Sequence, residues 1–73
     1  GRKMIATITL HELTRLIREA ETAYEKKGTS AIAQRMRIQA MKRFAADIAR
    51  AQSPHHSVQI SLEDHLVLTD LPS

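Results

Sequence analysis

Four histidines, His11, His55, His56 and His65, have the widest chemical repertoire in this chain. Imidazole titrates near neutral pH and ligates metals. His55 and His56 follow Pro54 directly, but no two histidines stand four apart and no HExxH run occurs. Those are the spacings that place two ligands on one helix face. The histidines therefore read as ordinary loop residues, and no metal or other cofactor is expected. The chain holds no cysteine, which removes thiol nucleophiles, disulfides and thiolate zinc sites together. There is no G-x-S-x-G elbow, and two glycines are too few for a phosphate-cradling loop. Ser30 is best placed as a helix cap. The expectation is that this protein is not an enzyme.

Charge is the next resource, and it is segregated. Residues 1–28 carry a formal +2, residues 29–54 carry +4 and residues 55–73 carry −3. Arg35, Gln39, Lys42, Arg43 and Arg50 fall on one face of a helical segment. Such a stripe can follow phosphates, lie in solvent, or be neutralised by the acidic tail. No aromatic residue interleaves with these cations, so stacking on single-stranded nucleic acid is not supported.

Three zones must position these groups. Residues 4–28 open with the alternation Met4-Ile5-Ala6-Thr7-Ile8, which predicts a short strand, and pass into a helical pattern. Thr9-Leu10-His11-Glu12 has the form of a capping box, and Ile8 and Leu13 fall where a hydrophobic staple sits. Leu10, Leu13, Ile17, Ala20 and Tyr24 recur at three and four, predicting one apolar stripe on a helix of roughly 18 residues. Glu12, Arg15 and Glu19 are spaced to pair on its outer face. Lys26 and Lys27 suit the negative end of the helix, and Gly28 suits the exit from it.

Residues 29–53 predict a second helix over 30–52, capped by Thr29 or Ser30 and stopped at Ser53-Pro54. Its apolar arc gathers Ala33, Met36, Ala40, Met41, Phe44, Ala45, Ile48 and Ala51, and Ile38, Ala31 and Ala49 widen it. With only Gly28-Thr29 between the helices, they should be antiparallel neighbours. Residues 54–73 read as an extended acidic tail. In it Val58, Ile60 and Leu62 alternate, Glu63-Asp64-His65 forms a turn, and Leu66-Val67-Leu68 makes a second short run. The fold expected is mainly α: an antiparallel two-helix hairpin with short extended segments at both termini, in a single small domain over 1–73.

A chain of 73 residues buries only about 60% of the surface its unfolded form exposes. With one Tyr, one Phe, no Trp and no disulfide, oligomerisation is the remaining stabiliser. Helix 2 has more apolar arc than one neighbour covers, so two hairpins should join as a homodimeric four-helix bundle. Its core would hold Leu13, Ile17, Met36, Met41, Phe44 and Ile48. Arg37 lies within that arc, level with Glu21. Two readings stay open for it: a snorkelling or Glu21-paired register device, or an exposed anchor for a partner protein. Tyr24, Arg35, Gln39, Lys42 and Arg43 complete the candidate partner-binding set.

No run of about 18–20 apolar residues occurs, and nothing resembles a secretory signal, so a cytoplasmic protein is expected. Gly1-Arg2-Lys3 precede Met4, which is expected to be the native start.

The order of short strand, capped helix, Gly28-Thr29-Ser30 turn and basic second helix resembles the ribbon-helix-helix repressors over about two-thirds of the chain. The strand from Lys3 to Thr9, with Leu10 and Leu13, carries the resemblance. It implies a DNA-binding transcriptional regulator whose Lys3, Ile5, Thr7 and Thr9 face outward into the major groove. Arg35 and Arg37 stand where that family carries aliphatics. In layout, the chain from Met4 is also similar to small phage-encoded host-takeover proteins of the anti-activator and motility-inhibitor type, some of which are helical-hairpin dimers. That resemblance implies a stoichiometric inhibitor whose partner is a bacterial transcription regulator or motility protein. The leading expectation is a homodimeric module that binds and modulates a protein by occluding its surface. DNA binding is the alternative.

Overall fold

A computed structural model describes residues 4–72. Strand β1 (Ile5–Thr9) leads directly into helix α1 (Leu10–Glu25). A single 3-10 turn (Gly28–Ala31) then feeds helix α2 (Ile32–Ala49), and strand β2 (Ser57–Ser61) runs into helix α3 (Leu62–Thr69). β1 and β2 form a two-stranded antiparallel sheet, with Ile5 opposite Ser61, Thr7 opposite Gln59 and Thr9 opposite Ser57. The chain is mainly helical, with three helices and this one sheet among the described residues.

Helix α1 starts where the capping pattern places it. The Thr9 hydroxyl accepts the Glu12 amide at 3.1 Å. The two amides before it donate to the loop that follows α2: Leu10 to the His56 carbonyl at 2.8 Å and His11 to the Pro54 carbonyl at 2.9 Å. The orphan donors of the first turn are thus met by groups from both ends of the sequence. The Glu12 carboxylate does not close the box back onto Thr9; it turns outward to Arg15. The stripe Leu10, Leu13, Ile17, Ala20 and Tyr24 is buried along its whole length.

The turn between α1 and α2 is longer than Gly28-Thr29. Lys26 and Lys27 remain right-handed, Gly28 takes φ +58°, and the 3-10 turn carries the chain to Ala31. Positive φ costs a side-chain-bearing residue and is free for glycine. Ser30 does not cap α2; its hydroxyl donates to the Lys27 carbonyl at 2.8 Å and tightens the turn instead. The hairpin is antiparallel. Lys42 and Gln39 of α2 meet Glu21 of α1, while Ala45, Ala46 and Ala49 lie across from Thr14, Ile17 and Arg18.

The C-terminal zone corrects the reading of an extended tail. Only 57–61 is extended, and residues 62–69 are helical. Ser61 ends the strand and caps α3, its hydroxyl accepting the Asp64 amide at 3.1 Å. Glu63 and Asp64 occupy the first turn, where the helix dipole favours acids. Leu66-Val67-Leu68 is therefore part of a helix, and Leu68 is fully buried.

The core is one cluster. Ile8, Val58 and Ile60 enter it from the inner face of the sheet, the α1 stripe runs through its centre, and Ile38, Met41, Ala45 and Leu68 close it. Among the described residues no helix is long and apolar enough to cross a membrane.

Candidate protein-interaction surface

Helix α2 shows one side to the core and leaves a broad side uncovered. Ile38, Met41 and Ala45 are its buried residues. At about 100° per residue, Ile32 and Met36 then point away from the core, and Ala33, Ala40 and Phe44 lie down one flank. Ile32 is 51% exposed, Met36 68% and Phe44 45%. Ala33 and Ala40 are exposed between them. Large apolar side chains left in water along one helical flank carry an unspent burial free energy, about 25 cal/mol per Å² of apolar surface.

The expected dimer core therefore divides. Leu13, Ile17 and Met41 are consumed inside one chain, and Ile48 is half-buried against the same core. Met36 and Phe44 are not. The buried centre of α2 is rotated toward Ile38, because α1 and α3 pack on that side of the helix.

The candidate partner-binding residues divide as well. Tyr24, expected at the surface, is buried, and its hydroxyl donates to the Asp70 carbonyl at 3.2 Å, fastening the end of α3 to α1. Arg37 meets neither Glu21 nor the core. Its Nε lies 3.4 Å from Asp64 and its Nη2 3.7 Å from Glu63, so it ties α2 to the first turn of α3. Glu21 pairs with Lys42 at 3.1 Å and accepts from the Gln39 amide at 3.1 Å. Arg50 pairs with Asp47 on its own helix. Arg35 and Arg43 make no ion pair among the described residues. With exposed Gln39 between them, they form a polar band beside the Met36–Phe44 flank.

The sheet contributes a second exposed surface. Ile5, Thr7 and Thr9 face outward on β1, as the strand reading has them, while Lys3 lies outside the described residues. Ser57, Gln59 and Ser61 face outward on β2. At the end of this ribbon, Met4, Ile5, Leu62 and Leu66 frame an open groove of about 710 Å³. Met4 is 69% exposed and Leu66 53%. Leu66 lies in the segment expected to be extended and gains its exposed position from α3. The Ser61-x-x-Asp64 spacing was the available signal for a helix there.

No three His, Asp or Glu side chains among the described residues are placed to hold a metal. The Arg15 guanidinium, hydrogen-bonded to Glu12, holds that carboxyl below the ordinary carboxylate range, and Glu12 raises Arg15 in return. Compared with known proteins, the chain matches no family model, no curated protein and no solved structure.

Proposed function

We propose that the protein is a small homodimeric interaction module that binds another protein and modulates it by covering a functional surface. The observation that carries this reading is the unpaired side of α2. There an apolar flank of Met36, Ala40 and Phe44 lies beside a polar band of Arg35, Gln39 and Arg43. The flank is self-complementary about Ala40. Two α2 helices crossing antiparallel there bring Met36 of each copy level with Phe44 of the other. Ala33 and Ala40 supply the close approach, and methionine sulfur against an aromatic ring adds a favourable contact. Joining two α1–α2 hairpins in this way gives a four-helix assembly with two-fold symmetry. The band of Arg35, Gln39 and Arg43 stays on its rim and faces the target, where arginine is an effective anchor. The layout resemblance to phage host-takeover proteins makes a host regulatory protein the target class.

Sedimentation velocity tests the reading directly. The wild type is expected to sediment as a dimer at micromolar concentration, and Met36→Lys with Phe44→Lys as a folded monomer. A wild-type monomer over that range overturns the dimer. One feature favours the alternative of DNA binding: apart from Ile5, the outer ribbon face is polar, with Thr7, Thr9, Ser57, Gln59 and Ser61, on an element that the major groove admits. A gel shift with duplex DNA separates the two. Binding that falls steeply with salt supports the regulator, and absence of binding at low salt removes it.

A further inference from the structure

The free edge of β2 is built to receive another strand. Leu62 donates its amide to the Met4 carbonyl at 3.0 Å, and Leu10 donates to the His56 carbonyl at 2.8 Å. These pairs extend the register of the sheet at both ends. In an antiparallel ladder every second pair exchanges hydrogen bonds, so Ile60 and Val58 bond inward to β1. Ser57, Gln59 and Ser61 direct their backbone groups the other way. Ser57 and Gln59 each present an N–H and a C=O there, and Ser61 an N–H. None of these has a backbone partner among the described residues.

Proteins usually blunt such an edge with lysine, proline or a bulge. Residues 57–61 contain no lysine or proline, and the register runs through them unbroken. The groove at the end of the ribbon is lined by Gln59, Ile60 and Ser61 of β2, by Met4 and Ile5 of β1, and by Leu62 and Leu66, so it adjoins the Ser61 end of this edge. Its rim holds Glu63, which meets Arg37 of α2 only at 3.7 Å and leaves 82% of its side chain exposed, in a segment with three acids and no Lys or Arg.

We propose that β2 is a strand-addition site for an extended peptide segment of the target protein, with an apolar side chain seated between Leu62 and Leu66 and a cation beside Glu63. Backbone pairing along Ser57–Ser61 supplies affinity and the groove supplies selectivity. This rests on and deepens the reading of the protein as a protein-binding module: it adds, to the Arg35–Gln39–Arg43 band, a second contact with the target that is separate from the dimer flank on α2.

A phage-displayed library of random dodecapeptides, panned against the full chain, is the probe. Enriched peptides are expected to alternate apolar and polar residues and to carry a Lys or Arg next to the leading apolar one. Synthetic copies should slow hydrogen exchange at the Ser57, Gln59 and Ser61 amides. Gln59→Pro removes an outward N–H that β1 does not use, and Leu66→Lys fills the groove with charge. Each should weaken peptide binding about tenfold, the scale of one or two main-chain hydrogen bonds or one lost apolar contact. Met36→Lys should leave binding unchanged even where it abolishes the dimer, so the two proposals fail separately. Failure to enrich any peptide, or protection confined to α2, overturns strand addition. Protection of the β2 amides that rises with protein concentration alone also overturns it, because a second copy then occupies the edge.

Discussion

Thr9 does three jobs within one residue. Its backbone ends β1, its hydroxyl caps α1, and its outward side chain stands opposite Ser57 on the ribbon. Thr9→Ala is expected to cost about 1 kcal/mol, the typical loss of a helix N-cap, and Ser61→Ala a similar amount through α3; urea titration of each variant measures it. Gly28 is demanding for a different reason. A Cβ there would meet nothing within 4 Å, so the cost of Gly28→Ala is conformational alone. It should be about 1 kcal/mol, and Gly28→Asn should cost less, since asparagine tolerates the left-handed region. Glu12 and Arg15 form an exposed pair. Because the folded carboxyl sits below its unfolded value, its contribution is present above the ordinary carboxylate range. It drains away as pH falls through the lower folded value. In an NMR titration, Arg15→Gln should move the Glu12 midpoint upward toward the ordinary value.

Among the elements, α3 has the most to explain, being short yet placed at the centre of several contacts. Ser61 caps it, the Met4 carbonyl receives its first amide, Arg37 pairs with its first turn and Tyr24 holds its end. Leu68, fully buried, is its apolar pin. Leu68→Ala should cost about 2–5 kcal/mol and melt α3 before α1, which hydrogen exchange resolves residue by residue. Arg37→Ala should cost under about 1 kcal/mol, because the pairs it makes are largely exposed. That contrast separates a pin from a tether. The misreading of this zone has a definite cause: the alternation Val58, Ile60, Leu62 continues one residue past the strand, and Leu62 already belongs to the helix. Period-two and helical patterns overlap at such a junction, and the cap at Ser61 marks the boundary.

For the whole molecule, the shortage of large side chains is met partly within one chain. The sheet and α3 roof the α1 stripe, and Leu13, Ile17 and Met41 find partners there that were expected from a second copy. What remains uncovered is the Met36–Phe44 flank. If a second copy covers it, the melting temperature of the wild type should rise with protein concentration by mass action. In Met36→Lys with Phe44→Lys it should not, which scanning calorimetry over a hundredfold dilution range decides.

The α1 stripe, the cap at Thr9 and the outer ion pairs of Arg15 were all legible in the residues, because each is set by neighbours within four positions; α2, expected to run to Ser53-Pro54, instead ends at Ala49. The rotation of α2 about its axis was not legible. Ile38 or Met36 could equally have faced inward, and only the joint packing of α1 and α3 chose Ile38. The same holds for Tyr24 and Arg37. Both are types that anchor partners, and both were claimed by residues at the two ends of α3, 26 to 46 positions away, whose docking no local pattern encodes. The pairing of β1 with β2 is likewise tertiary: two five-residue alternations show which side faces inward, but not which strand each will meet. It is this pairing that leaves the outer edge of β2 open.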